Sequence, residues 1–103
     1  MPRDPIPALP SSMDAPGGRV RIVVKKTGTV KAGKTAAYGT WEKHTRTVEI
    51  ESGASLRHQW WTLYHELVHV AMEDSGVWNL LPDRHQEAIC DAIATARVRE
   101  RFG

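Results

Sequence analysis

The sequence holds one cysteine, one phenylalanine and no long apolar run. A single cysteine excludes an internal disulfide framework. It also excludes zinc sites made of four cysteines, or of two cysteines with two histidines. The thiolate-rich sites being excluded, a metal site here is expected to use imidazole and carboxylate groups. A bilayer span needs roughly 18 or more apolar residues, and the start Met-Pro-Arg-Asp-Pro lacks the apolar core of a signal peptide. A cytoplasmic protein is therefore expected. Acid is missing between Ala15 and Trp41, where Arg19, Arg21, Lys25, Lys26, Lys31 and Lys34 fall. With a net charge of only +2, that window reads as a solvated strand edge protected by lysines. A nucleic-acid partner is not expected; if one binds, Arg19, Arg21, Lys25 and Lys26 would form the contact. The 103 residues, 41% hydrophobic and 25% charged, fit one domain and a monomer.

Five of the six prolines lie in residues 1–18. This stretch is expected to be a Pro-rich flexible tail, leaving residues 19–103 for the folded domain. Val20, Ile22 and Val24 alternate with Arg21, Val23 and Lys25, which predicts a half-buried strand. Turns are expected at Thr27-Gly28 and over residues 31–34. Two further strands, residues 36–41 and 45–51, are expected to join near Glu42-Lys43-His44. In the second, Val48 and Ile50 alternate with Thr47, Glu49 and Glu51, so one buried face and a mainly antiparallel sheet are expected.

Ser55 is a plausible N-cap. Leu56, Trp60, Leu63, Leu67 and Val70 then recur at steps of three and four, which predicts a helix of about five turns ending near Ser75-Gly76. A second helix is expected from Pro82-Asp83, with Asp83 and Gln86 as a capping box and Ile89, Ala92, Ile93 and Ala96 as its apolar face. The fold class is α+β: about three strands packed on two helices.

The first helix contains His65-Glu66-Leu67-Val68-His69. Residues four apart share a helix face, so both imidazoles can address one ion about 2.0–2.1 Å away. Glu66 is rotated off that axis, where its carboxylate can reach a metal-bound water. A catalytic zinc takes three protein ligands. Eighteen residues beyond His69 stands Glu87, followed one turn later by Asp91. One of these carboxylates can be the third ligand while the other supports a ligand imidazole. Cys90, between them, reads as a small buried hydrophobe. His44 reads as a surface turn residue. His58 falls on the same face as His65, about 10 Å away.

These residues resemble the H-E-x-x-H and E-x-x-x-D motifs of gluzincin metallopeptidases, the thermolysin-like group. Residues 36–96 also look like the very small single-domain zincins of bacteria and phages. The resemblance implies a zincin-like domain with an active-site helix and a second, ligand-bearing helix. It implies one zinc ion held by His65, His69 and Glu87, with Asp91 orienting His65. Glu66 becomes the general base of a peptidase acting on an extended peptide or protein segment through a metal-activated water. The strand Thr47 to Glu51 becomes the cleft rim, so Val48, Glu49 and Ile50 are candidate substrate contacts, as are Tyr38 and His85. Tyr38, His85 and Arg84 are candidates by type for the donor that a developing oxyanion needs. The alternative is a zinc-stabilised binding or regulatory protein without catalysis. Two features depart from the family: no helix is expected before the sheet, and the Tyr or His that larger gluzincins carry on a further domain has no counterpart in this sequence.

Overall fold

A computed structural model describes residues 6–26, 31–32, 35–36 and 38–103. The strands are β1 (Ser12–Ala15), β2 (Gly18–Lys25), β3 (Lys31–Ala32), β4 (Thr35–Ala36), β5 (Gly39–Glu42) and β6 (Thr47–Glu51). Helix α1 (Leu56–Ser75), a short 3-10 helix (Val77–Leu80) and α2 (Asp83–Phe102) follow. The class is α+β, as expected. The expected turn at Thr27-Gly28 lies outside the described residues, as do Gly33 and Lys34 between the paired β3 and β4.

The main sheet has four strands in the order β1-β2-β6-β5. It is mixed, not mainly antiparallel: β1 and β5 run antiparallel to their neighbours, but β2 and β6 pair in parallel, with Ile22 opposite Val48 and Val24 opposite Ile50. A parallel pair needs a connection of about a dozen residues or more, and the chain between Lys25 and Thr47 supplies it. The alternation in β2 holds for Val20 and Ile22, which are buried, while Val24 at the strand's end is exposed.

The expected tail is also corrected. From Ile6 onward it belongs to the fold. Met13 and Ala15 of β1, together with Ile6 and Leu9, pack against the core. The buried Trp60 indole donates to the carbonyl of Pro7 at 2.7 Å. A buried indole N–H requires an acceptor, and this segment provides it.

Helix α1 begins where predicted. The Ser55 side chain accepts from the His58 backbone N–H, and Gly76 closes the helix at φ 76°. Helix α2 differs at its start. Pro82 is the N-cap without a side-chain cap bond, and Gln86 donates to the Leu81 carbonyl instead of closing a box. Its buried row is Gln86, Cys90, Ala94 and Val98, about one residue around from the expected row, while Ile93 is exposed. The helices are antiparallel: Arg57 donates to Gly103, Trp61 to Thr95, and Arg101 to Tyr64.

Val20, Ile22, Val48, Ile50, Trp60, Leu63, Val70 and Val98 form the core between sheet and helices. An ion pair ties its rim together. Arg46, in the β5–β6 turn, binds Asp74 near the end of α1 through two bonds of 2.9 and 3.0 Å, and also donates to the carbonyls of Gly18 and Arg19. Asp74 accepts the Gly17 N–H at 2.9 Å as well.

The Arg46 guanidinium holds the Asp74 carboxyl below its ordinary value. An unfolded Asp titrates near 3.9, so the stabilisation is complete above about pH 4 and is lost as pH falls through the lowered folded value. Asp74→Asn is therefore expected to cost about 2 kcal/mol at neutral pH. Its urea midpoint should fall less than that of the wild type as pH drops below 4. Parallel pH profiles for the two proteins would contradict this account.

Candidate metal centre

α1 brings His65 and His69 to one face, one helical turn apart, and α2 brings Glu87 against them. The Nε2 atoms of the two imidazoles lie 3.1 Å apart. Glu87 Oε2 is 3.1 Å from the first and Oε1 is 3.1 Å from the second. Four donors around a tetrahedral zinc at about 2.0–2.1 Å would stand about 3.3–3.4 Å from one another. The separations are thus close to those of zinc donors, with each imidazole nitrogen facing a different oxygen of Glu87. On its far side His65 Nδ1 lies 2.8 Å from Asp91 Oδ1, within ion-pair distance but not aligned as a hydrogen bond. The Trp61 ring packs beside His65 at 5.3 Å, fixed by its own bond to Thr95. The predicted quartet of His65, His69, Glu87 and Asp91 is brought together.

Burial, with the neighbouring His65 ring, holds the His69 imidazole below its ordinary pKa against the pull of Glu87. A neutral ring is the form that ligates. Glu66 is 8% exposed, and no hydrogen bond or ion pair reaches its carboxylate among the described residues. Burial, and then the negative charge of Glu87, push its pKa up to about 7.

Beside these groups runs a cleft of about 790 Å³, which takes in Glu66, His69 and Glu73 of α1, Gly39 to Glu42 of β5, and Arg21, Thr45, Thr47 and Glu49. β5 lies close against α1. A Cβ at Gly39 would come within 2.5 Å of the Thr62 methyl, so only glycine permits that approach.

The expected rim strand is corrected. β6 is hydrogen-bonded on both sides, by β2 and β5, and has no edge to offer a substrate. Val48 and Ile50 are 0% exposed and belong to the core. Of the three β6 candidates only Glu49 lines the cleft. The sheet's edge beside α1 is β5. Tyr38 stands at its start and stacks on His58 at 4.6 Å. His58 in turn meets the edge of Trp61 at 6.0 Å, so a row of rings runs from the sheet to His65. His85 and Arg84 are exposed in the first turn of α2.

Three residues near the site carried little sequence signal. Cys90 puts its sulfur within 4.8 Å of donor atoms of both His65 and His69. Its place three residues after Glu87, on a neighbouring helix position, was the available clue. Burial, followed by the charges of Glu87, Glu66 and Asp91, pushes this thiol up to about 12. Trp41 and Glu73 meet across the cleft wall at 3.2 Å, 32 residues apart, and nothing local announces the pair. Among the basic residues, Arg19 pairs with Asp14 and Lys25 with Glu49, so part of that charge is internally balanced. No helix of the described residues is long and apolar enough to cross a membrane.

No protein-family model matches the chain, and neither the curated proteins nor the solved structures contain a significant match.

Asp91 stands 2.8 Å from His65, where an outer support for a metal-ligating ring would lie. Asp91→Ala is expected to weaken zinc binding by about 10–100-fold, and Glu87→Ala by more, in competition against a chromophoric chelator. If zinc is held at this site, stripping it should lower the thermal midpoint of the wild type, because folding and ligation are linked. Equal zinc affinity in all three proteins would remove these residues from the site.

Proposed function

We propose that this protein is a zinc-dependent peptidase that cuts an extended peptide or protein segment in the cytoplasm. The reading joins the gluzincin resemblance to the geometry, with His65, His69 and Glu87 as ligands and Asp91 supporting His65. The observation that carries it is the convergence of the two Nε2 atoms and the two Glu87 oxygens at 3.1 Å, beside the Glu66 carboxylate, which no hydrogen bond or ion pair among the described residues engages.

A zinc ion held there supplies Lewis acidity toward a carbonyl oxygen and a bound water acidified toward about pKa 7. The rest falls to the chain's own residues. Glu66 accepts the proton of the attacking water at its carboxylate and delivers it to the leaving amine. Asp91 keeps His65 Nδ1 engaged, so that Nε2 faces the site. The β5 backbone offers the sheet edge along which an extended segment can add as a further strand. The nearby wall of Trp41 and Glu73 shields one flank from water.

Glu66→Gln separates binding from chemistry. The variant is expected to keep one zinc per chain while cleavage of a denatured-protein peptide mixture, read by mass spectrometry, falls by about 10²–10⁴-fold. Cleavage at the parent's rate would refute the role of Glu66.

A second reading, a zinc-stabilised binding or regulatory protein, is favoured by Cys90. A sulfur within 4.8 Å of both imidazole donors can close the position that a water would otherwise take, and closed four-ligand sites are structural. Cobalt substitution decides between the two. A thiolate-to-cobalt charge-transfer band that disappears in Cys90→Ser supports the closed site. Its absence from the parent protein supports the open, catalytic one.

A further inference from the structure

We propose that the imidazole pair of His65 and His69 also holds a soft ion, monovalent copper, with the sulfur of Cys90 as third ligand in place of Glu87. The inference rests on the zinc centre of the proposed reading only as the alternative occupant, and it is independent of peptide cleavage. It differs from a closed zinc site, because here the thiol and the carboxylate serve different ions.

The Nε2 atoms of the two imidazoles stand 3.1 Å apart, and α2 brings two donors of opposite character to the pair. Glu87 approaches from the solvent side. Its side chain keeps 56% of its surface exposed, and its two oxygens lie 3.1 Å from the two rings. Cys90, three residues on, approaches from within. It is 0% exposed, and its sulfur and one nitrogen of each imidazole all lie within 4.8 Å of one another.

A thiolate is a soft donor that selects monovalent copper, an imidazole suits copper as well as zinc, and a carboxylate suits harder ions. Two ring nitrogens and one sulfur make a trigonal set. With bonds as long as those zinc makes, about 2.0–2.1 Å to nitrogen and about 2.3 Å to sulfur, trigonal donors stand roughly 3.5–3.8 Å apart. The sulfur therefore has to close by no more than about 1 Å. Coordination exchanges the thiol proton for the ion, and the proton leaves to solvent. The burial of Cys90 keeps bulk oxidants away from the sulfur. Both ions need the same two imidazoles, so each excludes the other.

The test uses the full-length protein, with copper(I) kept reduced by ascorbate and offered against a chromophoric copper(I) chelator. Zinc affinity is measured separately on the same proteins. Cys90→Ser should weaken copper binding by about 100-fold or more, beyond the range for a residue that only supports a ligand, and change zinc binding by about threefold or less. Glu87→Ala should do the reverse. Copper added to the zinc-loaded wild type should release one zinc per chain. X-ray absorption of the copper-loaded wild type should show a sulfur neighbour, a readout that does not depend on how well Cys90→Ser folds. A copper spectrum without sulfur, copper binding with zinc retained, or equal copper affinity in Cys90→Ser would each overturn the proposal. So would an equal weakening of both metals by Cys90→Ser, which makes the thiol a ligand of zinc as well. Zinc binding untouched by Glu87→Ala overturns the zinc ligand set of the proposed reading and leaves the copper site standing.

Discussion

Two imidazole nitrogens and a carboxylate meet 3.1 Å apart between α1 and α2, and the helix packing is what brings them there. Both rings direct a lone pair or a proton at the same point. A proton can satisfy only part of such a set, whereas a divalent cation satisfies all of it. The register that brings the groups together is fixed elsewhere along the helix pair. Arg57 reaches Gly103, Trp61 reaches Thr95 and Arg101 reaches Tyr64. The buried row Gln86, Cys90, Ala94 and Val98 turns α2 so that Glu87 and Asp91, one position on from buried neighbours, stand at the seam with α1. Packing therefore aims the donors, and on the proposed reading the ion in turn holds a core that eight buried side chains alone make small.

The opposite end of the cleft is held by charge. Arg46 gathers the Gly18 and Arg19 carbonyls and Asp74, which ties β2, the β5–β6 turn and the end of α1 together. Arg46 adopts a left-handed backbone, φ 48°, a conformation unfavourable for a side chain of its size. Its four bonds supply the compensation. Glu73 is the next residue to Asp74, and Trp41 precedes the turn that carries Arg46. The Trp41–Glu73 wall is thus positioned by the same clamp that anchors the amino-terminal segment.

What the sequence made legible was local. Ser55 and Gly76 announce the ends of α1 because caps act over three or four residues. His65 and His69 follow from helical spacing alone. Glu87 and Asp91 stood out because a metal site needs a third ligand, and their own spacing is again one turn. What stayed hidden depends on contacts distant in sequence. The β1 strand is four residues inside a proline-rich stretch, and it is strand only because β2 lies beside it. The parallel pairing of β2 with β6 leaves no mark in either strand. The buried row of α2 lies about one residue from the expected one, because Ile89 and Ile93 outweigh Cys90 and Gln86 by hydrophobicity, whereas the fold buries the latter pair. Cys90 came close to the metal donors through that same rotation.

The internal position of β6 changes how the site relates to the sheet. A strand bonded on both sides is a structural member, and its one valine and one isoleucine serve the core. The sheet edge that lines the cleft beside α1 is β5, four residues long. It reaches that place because Gly39 has no Cβ to meet the Thr62 methyl. Thr62 sits one helical turn before Glu66, so the distance from the β5 backbone to that carboxylate is set where glycine meets threonine. A larger residue at either position would move the edge away from the helix that carries both imidazoles. On the proposed reading, a substrate strand added to β5 would move with it. The separation between substrate carbonyl and Glu66 is therefore fixed by packing in the fold and not by any group that takes part in the chemistry.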